Sequence, residues 1–258
     1  MAQTPKHEIL FSVPFSSLAK PLPSLEKIEK SSLVVKFGVG DDPIEGETLL
    51  FVRENSNVAV PQLFAIYQKE WEDTKITYIV MENISGRTLI SLWDGLSGFD
   101  TLRQLPSPGY FGSVERRKPL DGMFWTDEDL TAINGPFSTE DELIEAMLKR
   151  YIRDCGDRVR HRAEYYRRVL PQVLQGNGTA VFTHNDLQRK NIIIRPNGET
   201  VIVDWAASGW YPVYWEYATA MFTFEAKKDD WHIYVGKILD EFPNHYIWID
   251  TLRVEMWG

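Results

Sequence analysis

Residues 181–205 read VFTHNDLQRKNIIIRPNGETVIVDW, and three short apolar runs divide the stretch. Val181 and Phe182 deliver His184-Asn185-Asp186. Ile192 to Ile194 follow Asn191, and Val201 to Val203 end on Asp204. The second and third runs flank Pro196-Asn197-Gly198. Apolar runs on either side of Asn-Gly predict a β-hairpin, because both residues accept the positive φ that tight hairpin turns demand. Such a hairpin brings Asp186, Asn191 and Asp204 to neighbouring strand ends. Two carboxylates and one amide oxygen are hard donors that suit Mg²⁺, and one of the carboxylates can instead orient a hydroxyl nucleophile. A plainer reading makes these residues turn formers, the generic use of Asp and Asn.

Bulk properties bound the rest. A chain of 258 residues can bury a large core, as one domain or as two lobes. Its 43% hydrophobic and 25% charged residues are those of an ordinary globular protein. The one cysteine, Cys155, excludes an internal disulfide framework and a cysteine-based zinc site, so a reducing, cytoplasmic setting is expected. No apolar run approaches the ~20 residues of a membrane span. The opening MAQTPKHEILF lacks the basic start and apolar centre of a signal peptide. A net charge of −9 and a pI near 5.1 argue against broad binding to nucleic acid or anionic membranes. Nine Trp are expected mostly in the core, several of them between Trp205 and Trp215.

Along the chain, residues 1–30 carry Pro5, Pro14, Pro21 and Pro23 and read as an extended arm with a short helix at Ser24 to Lys30. Leu33 to Gly38 (LVVKFG) is a β-branched run, and a lysine inside such a strand is costly unless its ammonium meets an anion. An amphipathic helix is predicted from Ile44 to Glu54, with Glu45 and Glu47 in the first turn, where carboxylates complement the helix dipole. Leu63 to Tyr67 and Thr77 to Met81 read as strands joined by the polar turn Glu70 to Lys75. Leu89, Leu92 and Trp93 begin a helix. Ser138 is the expected N-cap of a helix from Thr139 to Lys149 or beyond. Further helices are expected over Asp157 to Leu174, over Tyr214 to Phe224, and twice within residues 229–257 around Phe242-Pro243. Arg158, Arg160, Arg162, Arg167 and Arg168 read as a solvated face.

The spacing H-x-D-x-x-x-x-N, followed by an apolar run and an Asp, resembles the catalytic loop of the protein-kinase-like superfamily. The form H-N-D-L-x-x-x-N with I-V-D-W resembles its aminoglycoside phosphotransferase and choline kinase branch. YFGSVERRKP (110–119), Gly135-Pro136-Phe137 and GWYPVYWEY (209–217) look like fungal members of that family. The resemblance covers about Leu33 to Tyr217. It implies an α+β, two-lobed fold with a small, mainly antiparallel β N-lobe and a larger helical C-lobe, divided as 1–84 and 85–258. It also implies a kinase that uses ATP and Mg²⁺ to phosphorylate a hydroxyl of a small molecule. Asp186 is then the catalytic base, His184 braces its loop, and Asn191 and Asp204 hold Mg²⁺. Lys36 anchors phosphates. Val58 to Pro61 resembles the exit of the preceding helix, and aligning on Pro61 makes Glu47 the partner of Lys36, with Glu45 as the alternative. Met81 to Gly86 resembles the inter-lobe hinge, where backbone groups of Glu82 and Ile84 would hydrogen-bond adenine. Arg189 and Lys190 are secondary candidates for stabilising transferred charge. Asp229, Asp230, Asp240 and Glu241 either meet a cationic substrate or are plain surface.

Two departures from the family pattern stand out. No glycine precedes Gly38, so no glycine-rich phosphate loop is visible, and only Gly98 to Thr101 separates LWDGLS from LRQLPSP, where related sequences place a long helix. Two alternatives therefore stay open. One is an ATP-independent enzyme using Asp186 or His184 as general base, the other a non-catalytic binding module.

Overall fold

The computed structural model of the chain describes residues 33–39, 43–71, 74–88, 99–222 and 230–257. The expected N-terminal arm, its short helix, and the helix beginning at Leu89 lie outside these residues, as does Asp229. Strand β1 (Leu33–Val39), helix α1 (Ile44–Asn55), β2 (Leu63–Trp71) and β3 (Thr74–Glu82) come first. The strands form an antiparallel sheet of order β1-β3-β2, with Lys36 opposite Ile79. β2 and β3 run further than their apolar patterns predict. The polar residues assigned to the turn continue the ladder, with Glu70 directly opposite Lys75, and opposite charges across an antiparallel pair are favourable.

Helix α1 buries Ile44, Glu45, Leu49 and Val52. Gly46 permits the close fit, since a Cβ there would lie 2.6 Å from Ile66 Cδ1 on β2. On another side of α1, Phe51 packs 5.1 Å from the Phe182 ring and 5.9 Å from that of Trp210. The core therefore runs without a break from the sheet-bound helix into the rest of the molecule.

After β3 the chain leaves regular structure at 83–85, then forms β4 (Arg87–Thr88), which pairs with β6 (Ile192–Ile194). Gly86 is pressed so close to this strand that a Cβ would sit 2.3 Å from Ile194 O. β6 pairs in turn with β7 (Thr200–Ile202), the hairpin that the Pro-Asn-Gly turn predicts. Arg87 and Thr88 are thus tied directly to the strand that follows the loop carrying the candidate catalytic residues.

The remaining helices are α2 (Phe99–Arg103), α3 (Thr131–Asn134), α4 (Glu140–Cys155), α5 (Arg160–Val173), α6 (Trp215–Phe222), α7 (Trp231–Ile238) and α8 (Pro243–Trp257). The N-cap of α4 is Thr139 and not Ser138. Its hydroxyl accepts from Glu142 N at 3.2 Å, while Ser138 N donates to the Glu142 carboxylate at 2.7 Å. Glu142 is three residues beyond Thr139, the spacing of a capping box, although its carboxylate takes the N–H of the residue before the cap. Trp205, Trp210, Trp215 and Trp231 are buried with the inner face of α4. The arginine run on and before α5 is a surface of ion pairs, Arg160 to Asp157, Arg162 to Glu255 and Arg167 to Glu145.

Candidate active site

Strand β5 (Ala180–Thr183) pairs antiparallel with β8 (Gly209–Pro212), and the chain turns out of β5 at His184. His184 is fully buried. Its Nε2 lies 3.0 Å from Val203 O and its Nδ1 accepts from Asp186 N at 3.3 Å, a pattern that fits a neutral ring protonated on Nε2. Burial lowers the imidazole pKa, against the pull of the Asp186 charge, and keeps the ring neutral. Both nitrogens therefore hold the loop, linking the backbone of Asp186 to the residue before Asp204.

Between them, Asn185 adopts φ 67°, and Asp204 adopts φ 66°. A left-handed backbone is uncommon outside glycine, and such strain persists only where neighbours enforce it. The enforcing groups are visible. Glu216 on α6 accepts from His184 N at 2.5 Å and from Asn185 N at 3.0 Å, and Ser208 Oγ donates to His184 O at 3.0 Å. The Asn185 side chain takes the Trp215 indole N–H on Oδ1 at 3.1 Å and donates to Asp121 Oδ2 at 3.3 Å. Asp121 Oδ2 also accepts from Trp215 Nε1 and from Arg253 Nη2 of α8, both at 3.2 Å, while its Oδ1 accepts from Met123 N at 2.8 Å. Asp121 and Arg253 are buried. The residue preceding Asp186 is thus clamped by a carboxylate and an indole, with a buried cation behind them.

Burial pushes the Glu216 carboxyl up to about 7, against the opposing influence of Arg103 and of the two N–H groups it accepts. The ordinary value is 4.5. Between these values the folded protein binds a proton that the unfolded chain has released. The contribution of this group to stability must therefore fall as pH rises from about 4.5 to about 7, by at most ~1.4 kcal/mol per pH unit. Unfolding midpoints measured from pH 5 to 8 should show that slope in the wild type and a flatter profile in Glu216→Gln. Parallel profiles for the two proteins would disprove the assignment.

The Asp186 carboxylate is part-exposed, with 29% of its side chain accessible. Asn191 Nδ2 donates both to Asp186 Oδ2 and to Asp186 O at 2.8 Å, which points Asn191 Oδ1 elsewhere. Lys190 Nζ lies 3.7 Å from Oδ2, and Gln188 Nε2 donates to Oδ1. Arg189 is engaged differently from what its place in the loop suggests. Its guanidinium pairs with Asp230 and lies 5.1 Å from the Tyr234 ring centroid and 5.9 Å from that of Trp231, so it fastens α7 to the loop. Of the acidic residues considered for a cationic substrate, Asp230 is therefore already paired.

Lys36 Nζ lies 2.7 Å from Glu45 Oε1 and 2.9 Å from Asp204 Oδ1. This corrects the pairing with Glu47, whose carboxylate meets Arg117 Nη2 at 2.5 Å. The reason is helical phase. Glu45 shares its stripe with Leu49 and Val52 (i, i+4, i+7), the buried face of α1, and Glu47 is turned some 200° from it. Burial pulls the Lys36 pKa down, but Glu45 and Asp204 outweigh it and leave the ammonium above its ordinary value. Burial likewise raises the Asp204 carboxyl, yet Lys36 prevails and holds it below the ordinary range.

Whether Mg²⁺ fits here depends on the donor set. Val203 N bonds Asn191 O at 2.9 Å, which places Asn191 and Asp204 on adjacent strand ends. One amide oxygen and one carboxylate are hard donors. Among the described residues, no group of three His, Cys, Asp or Glu side chains forms a metal cage. A cation bound at this point must complete its shell with water and phosphate oxygens, as Mg²⁺ does when it arrives with a nucleotide. The donors fit.

Sequence reading overlooked Glu216, Asp121 and Arg253. A signal existed for two of them, since Glu216 stands within the apolar run of α6 and Arg253 between Leu252 and Val254, and a charge in such a setting implies a buried partner.

Comparison with known proteins places this geometry in context. The family model described as the phosphotransferase enzyme family matches residues 43–235. Among solved structures, the chain is similar to a protein provisionally named fructosamine-3-kinase from Haemophilus somnus 129PT, with a TM-score of 0.58 and 13% identity over 88% of this chain and 76% of that one. It is similar to spectinomycin phosphotransferase APH(9)-Ia in complex with ADP and spectinomycin, with a TM-score of 0.50 and 12% identity over 88% and 75%. Aminoglycoside phosphotransferase APH(4)-Ia gives a TM-score of 0.50 and 14% identity over 88% and 75%. At these identities the likeness is one of fold, the α+β, two-lobed kinase-like fold. No curated protein sequence matches the chain.

Proposed function

Because the chain belongs to the phosphotransferase enzyme family, whose model matches residues 43–235, we propose that it transfers the γ-phosphate of ATP to a hydroxyl group of a small molecule. The observation that carries this reading is the convergence of Lys36, Glu45, Asp186, Asn191 and Asp204 at one place, drawn from β1, α1 and the 184–204 segment. Phosphoryl transfer asks for in-line positioning and charge neutralisation more than for covalent chemistry, and these are the groups that provide both.

In this reading Lys36, kept charged and oriented by Glu45, anchors phosphate oxygens. Asn191 Oδ1 and Asp204 hold Mg²⁺, which supplies the positive charge that offsets the developing negative charge. Asp186 orients the acceptor hydroxyl and takes its proton. His184 is too deeply buried to touch substrate and acts by fixing the Asp186 backbone. Lys190, 3.7 Å from Asp186, would meet transferred charge. The backbone of Glu82 and Ile84 would read adenine at the 83–85 hinge, and the boundary between lobes is assigned there, as 1–84 and 85–258. The acceptor is a small molecule and not a nucleic acid, given the acidic net charge of −9. No described helix is long and apolar enough to cross a membrane.

The direct test is ligand-linked stability. Millimolar ATP with Mg²⁺ should raise the thermal midpoint, by the equivalent of about 2.7 kcal/mol at a hundredfold excess over Kd. The shift should vanish in EDTA and in Asp204→Ala. No shift in the wild type would sink the proposal.

A further inference from the structure

The two oxygens of Asp186 have different surroundings. Oδ2 is held from within the loop by Asn191 and faces Lys190. Oδ1 is met by the carboxamide of Gln188, whose Nε2 donates to it. Gln188 sits just before the short 3₁₀ turn Arg189–Asn191, with an extended backbone of φ −140° and ψ 158°. From that position, two residues beyond Asp186, its side chain folds back over the carboxylate.

We propose that Gln188 occupies the acceptor position, its amide N–H standing where the hydroxyl of an acceptor must bond to Asp186, and that it thereby keeps water from being used in place of the true acceptor. This rests on the phosphotransferase reading above. An N–H donated to a carboxylate oxygen takes up the lone pair that an O–H donated to the same oxygen would use. A group tethered two residues away acts at a high effective concentration, so a single water, held by one or two hydrogen bonds, competes poorly with it. An acceptor that gains further contacts elsewhere in the cleft can displace the amide. Discrimination then comes from the cost of moving Gln188, which only a ligand with binding energy to contribute can meet.

The disfavoured side reaction is explicit. Water gives a proton to Asp186 Oδ1 as its oxygen bonds to the γ-phosphorus. The bond between that phosphorus and the β–γ bridging oxygen breaks, its electron pair leaving on ADP. The products are ADP, inorganic phosphate and the proton, which Asp186 returns to solvent.

The experiment measures ADP released from Mg·ATP without any acceptor, alongside the Mg·ATP-induced thermal shift. It compares wild type, Gln188→Ala, Gln188→Met (similar length, no N–H donor) and the double variant Gln188→Ala/Asp186→Asn. The expected result is an increase of about tenfold or more in hydrolysis for Gln188→Ala, with the thermal shift intact, and its loss in the double variant. Gln188→Met should show little gain, because the methionine still fills the space. Unchanged or slower hydrolysis in Gln188→Ala with an intact shift overturns the inference, and so does a gain that survives Asp186→Asn. No thermal shift in the wild type overturns the phosphotransferase reading itself, and this inference with it.

Discussion

Asp186→Asn is expected to lower phosphoryl transfer by about 10²–10⁴-fold, the usual size of a lost general base, while leaving Mg·ATP binding within about threefold. The two effects separate because of where the contacts lie. Asp186 bonds to Asn191 Nδ2 through Oδ2, and an asparagine Oδ1 can take that place. Lys36, Glu45 and Asp204 are untouched by the change. What the substitution removes is a basic oxygen facing the acceptor and the carboxylate opposite Lys190. Single-turnover transfer and nucleotide titration on the same preparation measure the two quantities. Retention of more than a tenth of the wild-type rate would show that the hydroxyl proton leaves by another route. Loss of nucleotide binding in step with rate would assign Asp186 to the metal site instead.

The largest effect on stability is expected at a pair that touches no ligand. Asp121→Ala leaves the Arg253 guanidinium buried without its carboxylate, with the Phe222 ring centroid 4.6 Å away. It also deprives Trp215 Nε1 and Asn185 Nδ2 of an acceptor. Breaking a buried ion pair from one side costs about 3–5 kcal/mol, which for a chain of this size lowers the thermal midpoint by on the order of 10 °C. Asp121→Ala combined with Arg253→Met should cost less than the sum of the single changes, since the second removes the stranded charge. Denaturant midpoints of the three variants decide the matter. A cost below about 1 kcal/mol for Asp121→Ala would mean that water reaches Arg253.

Much of this was legible from residue order because the chemistry is local. His184, Asp186 and Asn191 belong to one loop, and Asp204 follows a hairpin whose turn residues announce it. The strands and helices that frame the loop follow apolar periodicity, and they appear with small differences of boundary. The partner of Lys36 was misassigned because two glutamates stood in one helical turn. Only the phase of the buried stripe distinguishes them, and Leu49 and Val52 would have supplied it. Asp121 and Arg253 were beyond the reach of pattern. They stand 132 residues apart, and each is an ordinary charged residue until the fold puts them together. Gln188 is one more polar residue of the loop, and nothing in the residue order tells which way its side chain turns.

The contact between Lys36 and Asp204, 2.9 Å apart, bears on how selective the cleft can be. If, as proposed, Lys36 anchors phosphate and Asp204 holds metal, the two are paired with each other before any ligand arrives, with Glu45 as the second partner of the lysine, so binding is an exchange of partners. A free phosphate would win the lysine and strand the aspartate. A free metal ion would win the aspartate and leave the lysine to Glu45 alone. Mg²⁺ and nucleotide arriving together satisfy both halves at once. On the proposed reading, the pair thereby favours the complex over either component alone.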